Sequence, residues 1–404
     1  MRALVLAGGY DQIELIKQLK SRGYYVYLAD YLDNPPAKLA ADEFYRISTL
    51  DINGIKKLAE EKRVNIVITA CTDQALLTVA VVSKELNLSC YISENTALNV
   101  TNKFYMKQIL KMYNIKTAKY ILLKDNKEIN NVDIGWLKYP LVVKPADCNS
   151  SKGVVKVDDI DALQTSITSA FELSRSNKVI IEEYIDGVEI SVDAWINNNE
   201  IIILSITKTI KHGFTIYSSV YDFNFMKKYM DKVKLILEKI ASAFELNNIP
   251  ILLQAIIAKE DIYVIEFSTR IGGGTKYKLI EYISNINIMK VFVDRVLENK
   301  TEKLIPKYNL NSCELDYIYA DSGKITYLKN FELLKNKKII VDYYFYKSLK
   351  NEIYSKKISS DRVAGILISS NDKNKLVDIR KKVFSTIKIL DGDKNILYDY
   401  FEKI

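Results

Sequence analysis

Glu266, Ser268 and Arg270 occupy alternate positions in DIYVIEFSTR (261–270). In a β-strand that spacing puts all three side chains on one face. The preceding apolar run, IPILLQAIIA (249–258), is joined to it by the short charged turn Lys259–Glu260–Asp261, so Gln254 can lie opposite them. One carboxylate among neutral oxygen donors suits Mg²⁺, or Mn²⁺ in its place, because such ions take oxygen ligands and share them with phosphate. Arg270 beside the metal would hold a phosphoryl group through its planar fork. Gly272, Gly273 and Gly274 follow at once and let backbone approach a ligand, which makes Gly273 a candidate substrate neighbour. The plainer alternative is the polar face of an edge sheet.

A second group is cationic. Lys103 sits early on a helix, and Lys144 ends the apolar run YPLVVKP (139–145). A polar turn with Ser150, Ser151 and Gly153 follows within ten residues. Polyphosphate binding needs cations on stiff supports and backbone N–H donors at close range. Each piece alone is common, since a strand-end lysine is usually a surface cation. A third group is EEYIDGVEISVD (182–193), read as a strand edge over Glu182, Glu183, Tyr184 and Ile185 beside a turn at Asp186–Gly187. A purine takes hydrogen bonds from such an edge, and Glu189 would serve a ribose diol. Solvated carboxylates on a hairpin are the ordinary reading of any one of these residues.

Two weaker signals lie near the N-terminus. AGGYDQ (7–12) joins a strand to a helix, and Asp30 ends the second strand, as in a dinucleotide-binding turn. GxGxxG is absent, so a tight βα turn fits at least as well. CTDQA (71–75) stands at the C-terminal end of another strand, where open α/β sheets expose ligand contacts; Thr72 and Asp73 are therefore candidate substrate neighbours.

The elements that would position these groups follow from periodicity. Apolar strands at 2–6, 24–30, 43–48 and 64–71 alternate with amphipathic helices, which predicts a doubly wound parallel sheet over roughly residues 1–100. A helix begins near Thr101–Asn102. Strands follow at 139–145, 154–159, 178–185, 188–196 and 200–210, then a long helix at 226–246, the pair 249–258 and 261–270, and a helical segment at 278–298. The tail has several strands and a helix at 373–386.

Composition narrows the class. Hydrophobic residues make up 48% and charged residues 27% of the 404, enough apolar material for more than one core. The net charge of +8 is dispersed, and the densest basic run, LKNKK (334–338), is short, so no nucleic-acid partner is expected. The four cysteines form no CxxC pair and there is one histidine, which excludes a zinc site of the usual kind and fits a reducing cytoplasm. No run reaches the roughly 18–20 apolar residues needed to span a bilayer, so no membrane association is expected.

In their order, TNKFYMKQIL, YPLVVKP, SSKGV, EEYIDGVEISVD and VIEFSTRIGGG resemble the ATP-grasp superfamily over about residues 1–300. The tail, with SSDRVAGILISSNDK (359–373) and IKILDGDKNI (387–396), resembles the branch of carbamoyl-phosphate synthetase large chain-like and carboxylate–amine ligase proteins. The resemblance implies an α/β and α+β multidomain chain. Its parts would be an N-terminal doubly wound, pre-ATP-grasp domain (1–101), a two-lobed ATP-grasp domain (102–305, lid lobe about 118–182) and a small mixed C-terminal domain (306–404). It implies ATP and Mg²⁺ as cofactors, with Lys103 and Lys144 on the phosphates under a Ser150–Gly153 loop. Glu182 and the backbone of 183–185 would hold adenine, and Glu189 the ribose. Lys208 would reach the γ-phosphate, Arg270 would steady the transferred group, and His212 would contact substrate. Asp193 is left as a buried structural acid.

Two residues depart from the family pattern. Gln254 stands where Glu is usual and Ser268 where Asn is usual, so Glu266 is the one clear anionic metal ligand. The implied reaction is ligation of a small-molecule carboxylate to an amine through an acylphosphate, by a homodimer. The competing readings are a carboxylase working through carboxyphosphate, a nicotinamide-dependent oxidoreductase on the N-terminal domain, and a non-catalytic nucleotide binder.

Overall fold

The structure, a computed structural model, describes residues 1–130, 133–148, 152–197, 200–300, 303–354 and 358–398. The first apolar runs become β1 (Arg2–Leu6), β2 (Tyr25–Asp30), β3 (Glu43–Arg46) and β4 (Ile66–Ile68), a parallel sheet in the order β3-β2-β1-β4. Helices α1 (Gln12–Lys20), α2 (Ile52–Glu61) and α3 (Asp73–Glu85) connect them. Ala3 and Val5 face one core with Leu15 and Ile16, while Leu4 and Leu6 face another with Ile55 and Val79. Burial on both faces is why β1 is an unbroken apolar run.

The Gly8–Gly9 turn is tight. A Cβ on Gly8 would stand 2.5 Å from Pro35 Cβ. Asp30 spends both carboxylate oxygens on the same region, accepting from Gly8 N at 2.6 Å and Leu32 N at 2.8 Å. These residues serve the βα turn, and the acid that a dinucleotide reading requires for ribose is already engaged.

The helix expected from Thr101–Asn102 is α5 (Lys103–Met112), and a further helix, α4 (Glu94–Thr101), which periodicity did not single out, leads into it. Asn102 between them is extended, and its side chain accepts from Phe104 N at 3.0 Å. That cap satisfies one orphan donor of the helix start and fixes Lys103 in its first turn.

A small antiparallel sheet follows: β5 (Tyr120–Leu123), β6 (Leu141–Pro145), β7 (Val155–Val157) and β8 (Val179–Glu183), in the order β5-β8-β6-β7, backed by α6 (Asp161–Leu173). The larger sheet contains β9 (Val188–Asn197), β10 (Glu200–His212), β11 (Thr215–Asp222), β12 (Ile249–Ala258) and β13 (Asp261–Ser268) in the order β13-β12-β9-β10-β11. It continues through β14 (Ser312–Ala320) to strands Ala364–Ser370 and Asp342–Phe345, so hydrogen bonding runs unbroken across residue 305. Helix α7 (Phe223–Ala243) packs on β10.

The helical segment expected at 278–298 divides into α8 (Lys276–Ser284) and α9 (Ile288–Glu298). Asn285, with φ of 59°, ends the first, and Asn287 caps the second by accepting from Lys290 N at 2.9 Å. Among the described residues no helix is long and apolar enough to cross a membrane.

Candidate active site

The small sheet and the large sheet border a cleft of about 1230 Å³. Lys144 and Glu182 line it from the small sheet, Lys103 from α5, Gln254 and Glu266 from the large sheet, and Arg270 from just past the end of β13. Residues far apart in the chain thus converge because three different elements end there. The β12–β13 register sets Gln254 opposite Glu266 and Leu252 opposite Ser268. Glu266, Ser268 and Arg270 share one smaller recess with Gln254, Lys103 and Asp73, as strand alternation requires.

Charge is tightly paired in this recess. Lys103 Nζ lies 2.9 Å from Glu266 Oε2 and donates to Cys148 O at 2.8 Å. Burial alone would raise the Glu266 carboxyl, but Lys103 outweighs it and holds the group below the usual range. Arg270 does not stand free, as the phosphoryl-clamp reading assumed. Its Nε donates to Asp73 Oδ1 at 2.7 Å, its Nη2 to Asp73 Oδ2, and its Nη1 to Ile271 O at 2.8 Å. Of the five N–H donors on a guanidinium, about two are left for a ligand. Asp73, read from sequence as a substrate neighbour, therefore orients Arg270.

Lys144 is fixed from the other side. It pairs with Glu182 Oε1, while Lys107 Nζ lies 2.7 Å from Glu182 Oε2. All three side chains are at most 9% exposed. Burial would raise Glu182, yet two lysines hold it at about 2. Lys107 shares that one carboxylate with Lys144, so for Lys107 burial wins and its pKa falls to about 8. The sequence reading of Glu182 to Ile185 as an exposed edge is corrected here. Strand β8 lies between β5 and β6, and Glu182 is buried. The N–H groups of Glu183 and Tyr184 donate to Lys119 O and Pro140 O at 2.9 Å each, and Glu183, Tyr184 and Ile185 all line the cleft.

Glu189 lines the cleft too, gripped by Lys211 Nζ at 2.6 Å. Lys211, which sequence reading passed over as a ligand neighbour, lines the cleft, and Lys208 does not. On β10 Thr209 and Lys211 face the cleft. Lys208 has the opposite parity, and its Nζ stands 4.4 Å from the Phe225 ring centre on α7. The register with β11 shifts between Ile210 and Lys211 because Tyr217 is an extra residue on β11, so β10 itself keeps its alternation and Lys211 stays on the face of Thr209. His212 sits exposed at the tip of the β10–β11 hairpin, outside the cleft lining. Thr72 lines the cleft and accepts from Gln12 Nε2 at 3.2 Å, and Gly273 lines it as well. Ser150 and Ser151 lie outside the described residues. Gly153 has φ of 74°, and a Cβ there would stand 2.8 Å from Leu173 Cδ1, so it answers a structural need.

Residues 137–277 match the family model described as an ATP-grasp domain. Over that stretch the chain is similar to ATP-grasp domains. A D-alanine–D-alanine ligase of Azobacteroides pseudotrichonymphae is 36% identical over 124 residues, which cover 30% of this chain and only 38% of that protein. A phosphoribosylamine–glycine ligase of Methanococcus maripaludis is 22% identical over 419 residues, covering 96% of this chain and 94% of that protein. An L-amino acid ligase from Bacillus licheniformis has the same fold, with a TM-score of 0.79 at 18% identity over 97% of this chain and 99% of the other.

Within the matched stretch, Asp193 is the buried structural acid expected. It accepts from Ser205 Oγ at 2.9 Å and pairs with Lys276 at 3.3 Å. A Cβ on Gly272 would stand 2.5 Å from Asp193 Oδ1, so the first glycine of the triple run clears that acid. Sequence reading missed Lys107 and Lys276. Lys107 had a signal: it lies four residues after Lys103 on the same helix face. Lys276 had none, because only the chain reversal through the glycines brings it under β10, where it donates to Thr207 Oγ1 at 2.8 Å.

Proposed function

We propose that the chain is an ATP-dependent carboxylate–amine ligase that forms an amide-type bond through an acylphosphate and releases ADP and phosphate. One observation carries this reading. Two lysines on separate stiff supports, Lys103 and Lys144, border the same cleft as Glu266 and Gln254, and the adjoining recess adds Ser268. Cations beside metal-binding oxygens are what a magnesium–triphosphate complex needs.

The donor set fits Mg²⁺. Glu266 is ionised, Gln254 stands opposite it, and Ser268 Oγ is buried without a hydrogen bond of good geometry. When bound, the ion would neutralise phosphate charge as it builds up. Lys103 and Lys144 hold the phosphates, and Glu189, held by Lys211, accepts from the ribose hydroxyls. The substrate carboxylate attacks the γ-phosphorus, and the bond to the ADP oxygen breaks. Arg270, aimed by Asp73, uses its remaining N–H donors on the group in transfer. The amine nitrogen then attacks the acyl carbon, phosphate leaves, and the amine loses its proton. No protein nucleophile takes part.

In the same reading, the division at residues 101 and 305 separates a substrate-facing N-terminal unit, the nucleotide-binding unit and a C-terminal unit that extends the central sheet, in a chain acting as a homodimer. The test is thermal unfolding with MgATP and, separately, NAD(H), for the wild type, Lys144→Ala and Glu266→Ala. A stabilisation by MgATP that shrinks in both variants supports the reading. A shift with NAD(H) and none with MgATP overturns it.

A further inference from the structure

Beyond the nucleotide recess the cleft has a second wall built by the C-terminal strands. Arg362, two residues before the strand Ala364–Ser370, lines it. Its guanidinium lies 3.7 Å from the Tyr317 ring centre, and its Nε donates weakly to Tyr319 Oη at 3.4 Å. Among the described residues no carboxylate pairs with it, whereas Arg270, Arg22 and Arg380 each hold an acid. A stacked, desolvated guanidinium with an open fork is a receptor for a planar anion.

The surroundings narrow the ligand. The two arginines flank the glycine run. Arg270 Nη1 lies 4.0 Å from where a Gly273 Cβ would stand, and Arg362 Nη1 lies 2.6 Å from where a Gly274 Cβ would stand. A group held by Arg362 is therefore next to the atoms that Arg270 serves. The N–H groups of Gly274 and Thr275, the natural anchor for a phosphate at the start of α8, are already taken by Asp11 at 2.9 and 2.7 Å. Arg362 and Lys347 are balanced by Asp11 and Asp361, all lining the cleft. A dianion is poorly matched to that balance, and a zwitterion is well matched. Tyr346, hydrogen-bonded to Thr275 Oγ1 at 2.7 Å, meets Tyr10 edge to face with ring centres 5.5 Å apart, which adds an aromatic wall.

We propose that Arg362 binds the carboxylate of the amine-donating substrate, so that this substrate is an α-amino acid, or a short peptide with a free C-terminus, whose side chain rests against Tyr10 and Tyr346. The assignment rests on the ligase reading for its chemistry, but its binding test does not require turnover. Free amino acids, their methyl esters and O-phosphoethanolamine would be titrated calorimetrically into the wild type, Arg362→Ala and Arg362→Lys, with the MgATP melting shift recorded for each protein.

The expected result is binding of one or more free acids but not of the matching esters. Affinity should fall roughly ten- to a hundred-fold in Arg362→Ala and less in Arg362→Lys, for the loss of a charge-assisted hydrogen-bonded pair. The MgATP shift should survive in both variants. In phosphate-release assays the same loss should fall on the KM for the amine and not on that for ATP. Equal binding of acid and ester, preference for O-phosphoethanolamine, no binding by any member of the set, or an unchanged affinity in Arg362→Ala would each overturn the assignment. Loss of the MgATP shift from the wild type itself would count against the ligase reading separately.

Discussion

Glu182 carries the charge of two lysines, and that sets the pH behaviour of the small sheet. Its folded pKa of about 2 lies below its ordinary 4.5. A depressed carboxylate stabilises the native state above its unfolded pKa, and the contribution is lost as pH falls through the folded value. The difference is worth roughly 3 kcal/mol. Glu182→Gln removes it and leaves Lys107 and Lys144 buried without their partner, so at pH 7 the variant should be about 3–5 kcal/mol less stable. Urea midpoints between pH 3 and pH 7 check this: the gap between wild type and variant should close as the pH falls below 4.5. A gap that stays constant across that range would mean that the carboxylate charge contributes nothing. At the same scale, Asp73→Asn should leave the MgATP melting shift intact while lowering kcat by on the order of 10²-fold, because the asparagine no longer orients Arg270 towards the transferred group. Single-turnover phosphate release would measure it.

At the scale of elements, the β10–β11 hairpin decides which lysine meets the ligand. Lys208 and Lys211 are both plausible from a list of residues, and only strand parity along β10 separates them. Lys211→Ala should free Glu189 and weaken MgATP binding by about tenfold, equivalent to about 1.4 kcal/mol. Lys208→Ala should leave it within about twofold, since that side chain covers Phe225. Titration with a fluorescent nucleotide distinguishes them, and equal effects would contradict the assignment of faces. The two helix pairs follow the same logic. Asn102 separates α4 from α5 at the start periodicity expected, and Asn285 ends α8 where it suggested an unbroken segment, because a backbone change at one residue outweighs the apolar pattern on either side.

The whole molecule is a cleft between two sheets, and a ligand held by both should tie them together. At about 100 times its dissociation constant MgATP adds roughly 2.7 kcal/mol to the native state. The gain should be greatest in the small sheet, which meets the rest of the chain across the cleft. Hydrogen exchange with and without MgATP should therefore show added protection in β6 and β8, and little change in β1 and β2. Protection confined to the N-terminal sheet would place the nucleotide elsewhere.

The sequence by itself determined what is local or strictly periodic. It carried the parallel N-terminal sheet, the one-face grouping of Glu266, Ser268 and Arg270, the strand-end Lys144, and the family resemblance that the match over 137–277 later bore out. Alternation and apolar runs report on a residue's own strand, so these features need no partner to be read. Only the tertiary structure decided the pairings. That Asp73 holds Arg270, that Lys107 joins Lys144 on Glu182, and that Lys211 rather than Lys208 meets Glu189 depend on elements brought together from distant parts of the chain. Strand β11 was hidden inside KTIKHGFTIYSSVYDF because its polar and apolar residues do not alternate cleanly when both neighbours are sheet. Arg362 became visible as a candidate ligand-binding residue because β14 extends the central sheet and carries the C-terminal strands to the cleft. Charge pairing and cleft walls are long-range properties, and local sequence does not encode them residue by residue.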